Sequence, residues 1–195
     1  MENAPVIHDV DAVDVTRLHL DESGKSDFCA VVYNGEPLYL RIPPGTTTRG
    51  VEVYGEKRSI RVRGDEAIFA SLQTWLDSAV DASYDVMPIV RGGEIKMRLP
   101  RAPDSVFHGG VFDDSSTPVS IDSITCGCQI GAVVQVSALW KMGACAGLLL
   151  DAMQLRVSTT VLRDCLIIQE DDPYVPFITH RSSPAAATCL IVEEN

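Results

Sequence analysis

Two long apolar runs separated by a short glycine-containing segment constrain the fold of this chain more than any other feature. The runs are residues 133–140 and 147–157, and residues 141–146 lie between them. Apolar runs of this length around a glycine-containing segment predict a β-hairpin, here with a six-residue connection. Trp140 ends the first run beside Lys141, where an aromatic ring is either a plug of the core or a platform on which a flat ring could stack.

The length and composition of the chain place it among globular proteins. Its 195 residues suffice for one medium domain with its own core, and 46% of them are hydrophobic. No apolar run reaches the roughly 20 residues that span a bilayer, and acidic residues lie where a signal peptide would have an apolar core. We therefore expect a protein that is made and kept inside a cell, with its cysteines reduced.

The cysteines and histidines do not show the spacing of a metal site. Cys126 and Cys128 form a Cys-x-Cys pair, and the others are scattered without the paired spacing that zinc sites usually have. Catalytic signatures are also missing, because Gly-x-Ser-x-Gly, His-Glu-x-x-His and a phosphate-binding glycine loop do not occur. We expect neither an enzyme nor a protein that holds a metal or a cofactor.

The remaining pattern predicts a mainly β fold with one or two helices. Short apolar stretches bounded by turn residues predict strands, and the apolar period after Gly64 predicts an amphipathic helix. Pro43 and Pro44 are expected to end the ladder that contains them. The predicted strands lie in residues 31–42, 51–54, 59–62, 87–90 and 95–99, and the predicted helix in residues 65–80.

The charge is unevenly distributed along the chain. The formal net charge is −11, yet residues 41–101 hold ten of the sixteen basic side chains against eight acids, and the rest of the chain carries −13. This asymmetry indicates a mildly basic working face with acidic arms, although an ordinary solvated surface would give a similar count.

Alternation places the central cations on one side of their strands. Arg61 and Arg63 alternate with apolar residues, and so do Lys96 and Arg98. Arg61 and Arg63 are expected on the solvent face. If this face binds a polyanion, their replacement by Glu is expected to abolish that salt-sensitive binding and to leave the melting temperature nearly unchanged.

The order of these features resembles that of a known family. The chain is similar to the single-stranded DNA-binding proteins of nucleocytoplasmic large DNA viruses, which include poxviral, asfarviral and iridoviral members. The resemblance covers roughly residues 37–157 and depends on order and spacing rather than on one motif. Its elements are residues 38–43, 50–51, the basic strand 57–63, a Trp-bearing helix, 88–90, 95–100, 139–140, Gly147 and 154–157.

The resemblance implies an OB-like Greek-key barrel with extended acidic termini. It also implies sequence-independent binding of single-stranded DNA in viral replication or recombination. The expected domains are an acidic arm (1–30), the barrel (31–168) and an acidic tail (169–195). The expected location is the host cytoplasm, in a viral factory, or the nucleus, with packaging in the virion as a further option.

A binder of this type needs cations for the phosphates and aromatic rings for the bases. Phe107 is a further stacking candidate. The predicted nucleic-acid-binding residues are Tyr54, Lys57, Arg58, Arg61, Arg63, Arg91, Lys96, Arg98, Trp140 and Lys141.

The acidic tail suggests a reason why an acidic protein could bind DNA. The acids at 170–172 and 193–194 could lie over the basic groove when DNA is absent, or the apolar residues 190–192 could contact a second copy or other viral proteins. The alternative function is that of a virion structural protein, either a minor capsid or a cement protein, which net acidity and a small apolar patch would also suit.

Overall fold

Strands dominate the part of the chain that the structure describes. The structure, a computed structural model, describes residues 5–21, 27–100 and 109–158, all within the first of the two units into which the chain divides, Met1–Val161. Among these residues no helix combines the length and the apolar character needed to cross a membrane. The strands are β1 (Ile7–Asp9), β2 (Leu18–Asp21), β3 (Phe28–Tyr33), β4 (Glu36–Tyr54), β5 (Lys57–Arg63), β6 (Asp85–Val86), β7 (Val90–Arg91), β8 (Glu94–Arg98), β9 (Gly110–Asp113), β10 (Gln129–Met142) and β11 (Cys145–Ser158).

Five of these strands close into a ring. The first part of β4 pairs antiparallel with β10, and its second part pairs antiparallel with β5. β5 then pairs with β8, β8 meets β11 in parallel through Arg98 and Asp151, and β11 forms a long hairpin with β10. The ring therefore runs β4-β5-β8-β11-β10 and returns to β4. The mainly β prediction is confirmed, and this barrel-like arrangement is consistent with an OB-like fold.

Further strands extend the same sheet. β3 pairs with β10, β2 pairs with β3, and β1 lies parallel to β4, so strands within the first 21 residues share the sheet with the barrel. The expected division into arm, barrel and tail stays a prediction. Residues 169–195, and the strand residues expected at 161 and 166–168, lie outside the described residues.

The expectation that Pro43 and Pro44 end a strand is wrong. β4 continues through them for 19 residues in total, and the register against β10 shifts at this point. Ile42 lies opposite Ala132 and Gly45 opposite Ile130, so the two prolines fall in the irregular segment between these pairs. A bulge does not require paired N–H groups, which is why proline is tolerated there.

Two hairpin turns are tighter than the sequence predicts. Met142 pairs with Cys145, so the connection of the long hairpin has two residues rather than six, and Gly143 has a φ of +59°. Tyr54 pairs with Lys57 across a two-residue turn of the same kind. The strands continue to the turns because backbone pairing does not require apolar side chains.

The predicted helix exists but is shorter than the apolar period suggests. The segment opens as a 3-10 turn, Glu66–Phe69, in which the N–H of Ala67 donates to Oδ1 of the capping residue Asp65 (2.9 Å). The α-helix α1 then spans Ala70–Ala79. Its apolar face packs on the barrel, and Trp75 joins that contact, as expected for a core residue. Three further 3-10 turns span Val10–Ala12, Val15–Arg17 and Ile121–Ser123.

We predict that Gly45→Ala destabilises the protein by about 2 kcal/mol, within the range for overpacked sites. A Cβ at Gly45 would collide with the carbonyl oxygen of Arg63 on β5, where β4 crosses from one partner to the next. Gly131→Ala is the matched control, because its Cβ would meet only Pro44 Cγ at 3.7 Å, an ordinary contact. Urea unfolding measures both variants, and equal losses of stability would contradict this account of the crossing.

Candidate nucleic-acid interface

Strand alternation gives the barrel an outer face with a composition unlike that of the core. Residues such as Ile60 and Met97 point inward and are fully buried, so their neighbours along each strand point outward. Residues directly opposite on paired strands share a face, which carries this surface from β4 to β3. We call it the outer face, and it consists of Glu52, Tyr54, Lys57, Ser59, Arg61, Arg63, Glu94, Lys96, Arg98, Asp151, Gln135, Leu149, Ala138, Trp140, Phe28 and Ala30, with Ser137 beside Arg98.

An open groove of about 650 Å³ lies at the β4–β5 end of the outer face. The β4–β5 turn, the end of β8 and the side chain of Asp151 form its walls, and Leu99 and Pro100 add apolar surface. Half of the predicted site residues line it, namely Tyr54, Lys57, Arg58, Lys96 and Arg98.

Arg98 is held by a carboxylate across the seam of the barrel. Its Nε and Nη2 donate to the two carboxylate oxygens of Asp151 at 2.6 and 2.7 Å, and Nη2 also lies 3.5 Å from Ser137 Oγ. The same two residues form the backbone pairing recorded between β8 and β11. The Asp151 side chain is 14% exposed and that of Arg98 47%, so the guanidinium reaches the groove while its partner lies beneath it.

Arg61 is the centre of a second cluster of charges. Its Nε donates to Glu52 Oε2 at 2.9 Å, its Nη1 lies 3.6 Å from Glu94 Oε2, and its side chain is 30% exposed. The hydrogen bond from Arg61 is the main reason that the pKa of Glu52 lies below its ordinary value, and burial of the carboxylate opposes this shift. The charges of Arg61, Arg49 and Lys96 lower it further.

This cluster corrects the expected result of the charge swap. Alternation did place Arg61 on the outward side of β5, as predicted. However, Arg61 bridges two half-buried glutamates, so its replacement by Glu would bring three carboxylates together and lower the melting temperature.

Three cations on the outer face have no such partner. Lys57, Arg63 and Lys96 are exposed, and none forms an ion pair or side-chain hydrogen bond with another described residue. Arg58 differs from them, because its Nε is buried at the groove without a hydrogen-bond partner among the described residues. The freely available positive charge of this surface therefore comes from the three exposed side chains.

The aromatic part of the outer face lies towards the β10–β11 turn. Trp140 pairs with Gly147 on one side and with Phe28 on the other. The indole lies against the Gly147 backbone, where an added Cβ would be 3.0 Å from Trp140 Cζ2, and Phe28 is 43% exposed. Phe28 was missed because the predicted strand began at residue 31. The alternation of Phe28 and Ala30 with buried Cys29 and Val31 is the signal that could have revealed it.

Two predicted site residues lie elsewhere. Lys141 follows Trp140 and points to the opposite side of the hairpin, where its Nζ lies 5.9 Å from the centre of the Tyr84 ring. Arg91 borders a smaller hollow of about 420 Å³ beside α1 and donates from Nε to the carbonyl of Pro88 at 3.3 Å. Phe107 lies outside the described residues.

The described part of the chain contains no group of three or more His, Cys, Asp or Glu side chains placed to hold a metal ion. The two residues of the Cys-x-Cys pair lie outside any strand and differ in exposure. Cys126 is exposed and donates to the carbonyl of Thr48 at 3.1 Å, whereas Cys128 is buried beside Thr125.

No protein-family model and no curated protein matches the chain. Solved structures of single-stranded DNA-binding proteins from bacteriophages are similar to it. The single-stranded DNA-binding protein from bacteriophage Enc34 is 13% identical, with a TM-score of 0.41 over 71% of this chain and 89% of that chain. The same phage protein in complex with ssDNA is 11% identical, with a TM-score of 0.40 over 71% and 93%.

Gp2.5, a single-stranded DNA-binding protein encoded by bacteriophage T7, is 10% identical, with a TM-score of 0.35 over 62% of this chain and 91% of that chain. At these identities and scores, only the geometry of the outer face can support an inference about function. The resemblance to proteins of large DNA viruses stays a prediction.

We predict that Arg61→Gln lowers the free energy of unfolding by about 1–2 kcal/mol at pH 7, because it leaves Glu52 without its hydrogen-bonded cation and Glu94 without its ion-pair partner. Arg63→Gln is the matched control, since Arg63 is exposed and unpaired among the described residues, and it should change stability by less than about 0.5 kcal/mol. Urea unfolding of the two variants and the parent measures this contrast.

The same contrast should depend on pH. The pKa of Glu52 is lower in the folded protein than its ordinary value of 4.5, so the Arg61 contribution is complete above that value. It is lost as the pH falls through the lowered folded pKa, and the difference between the parent and Arg61→Gln should narrow in acid. A gap that stays constant or widens in acid would show that Glu52 is not the group stabilised by Arg61.

Proposed function

We propose that the outer face binds single-stranded DNA without sequence preference. The single observation that supports this most is the combination, on one continuous sheet surface, of the three unpaired cations with Tyr54 at one end and Trp140 at the other. Lys57, Arg63 and Lys96 can neutralise backbone phosphates, and the aromatic rings can stack on bases.

The position of this surface fits the way OB-type barrels are used. Such barrels bind oligonucleotides on the face of their second and third strands and with the loops that join strands 1–2 and 4–5. In this chain those strands are β5 and β8, and those loops are the β4–β5 turn beside Tyr54 and the β10–β11 turn beyond Trp140. The cations and rings therefore lie where a nucleic acid would meet this type of barrel.

The chemistry favours a single strand over a duplex. Stacking requires a free base face, which a paired and stacked duplex does not offer, and each stacked base contributes about 1–3 kcal/mol. Tyr54 is 87% exposed at the turn, and Phe28 adds an exposed ring beside Trp140. Stacking and phosphate contacts do not read base edges, so binding without sequence preference is the expected mode.

The net charge of the chain limits where DNA can approach. With a formal charge of −11, most of the surface repels a polyanion. The three unpaired cations give one region where the local potential is less negative. A strand is thus directed to the outer face rather than bound over the whole protein.

The finer role belongs to the same proposal. A binder of this kind in a large DNA virus would cover strands exposed during replication or recombination, and the tail at 169–195 would contact a second copy or other viral proteins. The virion structural role is the alternative, and a lack of single-strand binding would favour it.

We predict that the protein binds an oligo-dT strand more tightly than a duplex of equal length. Affinity should fall with salt with a log–log slope of about −2, since each of three phosphate contacts contributes about −0.7 on a single strand. Fluorescence titration of labelled oligonucleotides at several salt concentrations measures both quantities. Equal affinity for strand and duplex, or no binding, would reject the proposal.

The triple variant Lys57→Gln, Arg63→Gln and Lys96→Gln should lose most of this salt dependence. The matched control removes three arginines outside the outer face, each of which pairs with an aspartate in the structure. Its loss of net charge is the same, but its salt slope should stay close to that of the parent. The control substitutions are Arg17→Gln, Arg41→Gln and Arg156→Gln.

We predict that Trp140→Ala weakens oligo-dT binding about 5- to 100-fold with little change in the salt slope, because it removes stacking rather than a phosphate contact. Trp140→Phe keeps an aromatic ring and should restore most of the affinity. An abasic strand of the same length separates the stacking contribution from the phosphate contribution, since the parent and Trp140→Ala should bind it equally. A Trp140→Ala protein that retains parental affinity for oligo-dT would remove Trp140 from the site.

A further inference from the structure

We infer that Asp151 is a built-in counterion that removes Arg98 from the set of phosphate-binding cations, whereas Lys96, two residues away on the same strand, remains in it. The inference rests on the proposed function and concerns which cations of the site can bind phosphate. Asp151 then has a role in a surface whose affinity for DNA would otherwise be estimated from its cations alone.

The geometry of the pair supports this division. Two parallel N–H···O bonds of 2.6 and 2.7 Å join Arg98 to Asp151, the arrangement in which a guanidinium and a carboxylate fit each other best. A phosphate would use the same fork of donors. The Asp151 carboxylate occupies the Nε–Nη2 edge and neutralises the guanidinium, so a phosphate that reached the remaining Nη donors would meet an ion pair without net charge.

The burial of Asp151 makes displacement unfavourable. Its side chain is only 14% exposed, so a phosphate that drew Arg98 away would leave a largely desolvated carboxylate without its cation. An exposed phosphate contact returns much less than that loss, because water and salt screen it. The pair is therefore retained when DNA binds, and its net charge is zero.

Lys96 shows the contrasting case on the same strand and the same face. It is exposed, and it forms no ion pair or hydrogen bond with another described residue. Its charge acts on Glu52 only at a distance, so its ammonium can approach a phosphate without breaking an ion pair or a hydrogen bond within the described residues. Counting Arg98 and Lys96 as equivalent cations would thus overestimate the salt dependence of DNA binding at the groove.

The barrel gives a reason for the presence of Asp151. Arg98 and Asp151 form the backbone pairing recorded between β8 and β11, where the ring of strands closes. Their side chains join the two strands at the same point, so the ion pair stabilises the closure of the barrel. Because this ion pair joins the two strands, Arg98 contributes no net charge to the groove.

The decisive experiment uses the full chain and an oligo-dT strand over a series of salt concentrations. The double variant Arg98→Gln/Asp151→Asn removes both charges, and neutral replacement of an ion pair is generally tolerated by the fold. We expect its affinity to stay within about twofold of the parent, with an unchanged salt slope. Lys96→Gln should instead reduce the steepness of that slope by about 0.7.

The single variant Asp151→Asn tests for the opposite effect, which is a gain in affinity and in salt dependence. It frees Arg98 for a phosphate, so affinity at low salt should rise about three- to tenfold and the slope should steepen by about 0.7. Asp114→Asn is the matched control, because it removes the same charge from an exposed pair with Arg156, outside the outer face, and should bind like the parent. If Asp151→Asn does not fold, the double variant carries the test.

The outcomes separate this inference from the proposed function. A double variant that loses affinity and slope as Lys96→Gln does would overturn the counterion role while leaving single-strand binding intact. The same holds if Asp151→Asn binds no better than Asp114→Asn. A parent protein that does not bind oligo-dT would instead reject the proposed function itself.

Discussion

The barrel depends on one strand that changes its partner. β4 pairs with β10 on both sides of its irregular segment at the two prolines, as far as Thr46, and with β5 from Thr47 onward, and this change allows the ring to close. The crossing requires close approach, since Gly45 lies against the Arg63 backbone. Just beyond it, buried Thr47 is fixed by its own N–H to the Cys128 carbonyl (2.8 Å) and by its Oγ1, which accepts from Gly50 N (3.0 Å). A small residue and a polar residue that is bonded through its backbone and its Oγ1 thus let the strand turn here.

The sequence predicted the parts of the fold that depend on local periodicity. The hairpins, the helix and the outward side of Arg61 and Lys96 all follow from alternation or from the apolar period, and the structure has them. It did not predict the continuation of β4 through Pro43 and Pro44. That continuation depends on a register shift against β10, a strand about 90 residues away in the chain, and no local pattern records it.

The candidate site was predictable as a set of cations but not as a set of interactions. Composition identified where the basic residues are concentrated, and the structure gathers five of those ten on the outer face. Their acidic partners come from other strands, as with Glu52 and Glu94 around Arg61, so their pairing could not be read from neighbouring residues. Phe28 was missed for a related reason, because its place beside Trp140 is set by strand pairing across more than 100 residues.

Alternation would usually separate the residues that hold a barrel together from those that act on its surface. Inward residues make the core, and outward residues are free to meet solvent or a ligand. Arg61 and Arg98 break this separation, because each is an outward cation that also joins strands through partly buried carboxylates. In a surface built in this way, removing an acid to gain affinity for a polyanion also removes an ion pair that stabilises the sheet beneath it. The charge available to a ligand is therefore set by the cations that the fold does not use, and in this chain these are the exposed side chains of Lys57, Arg63 and Lys96.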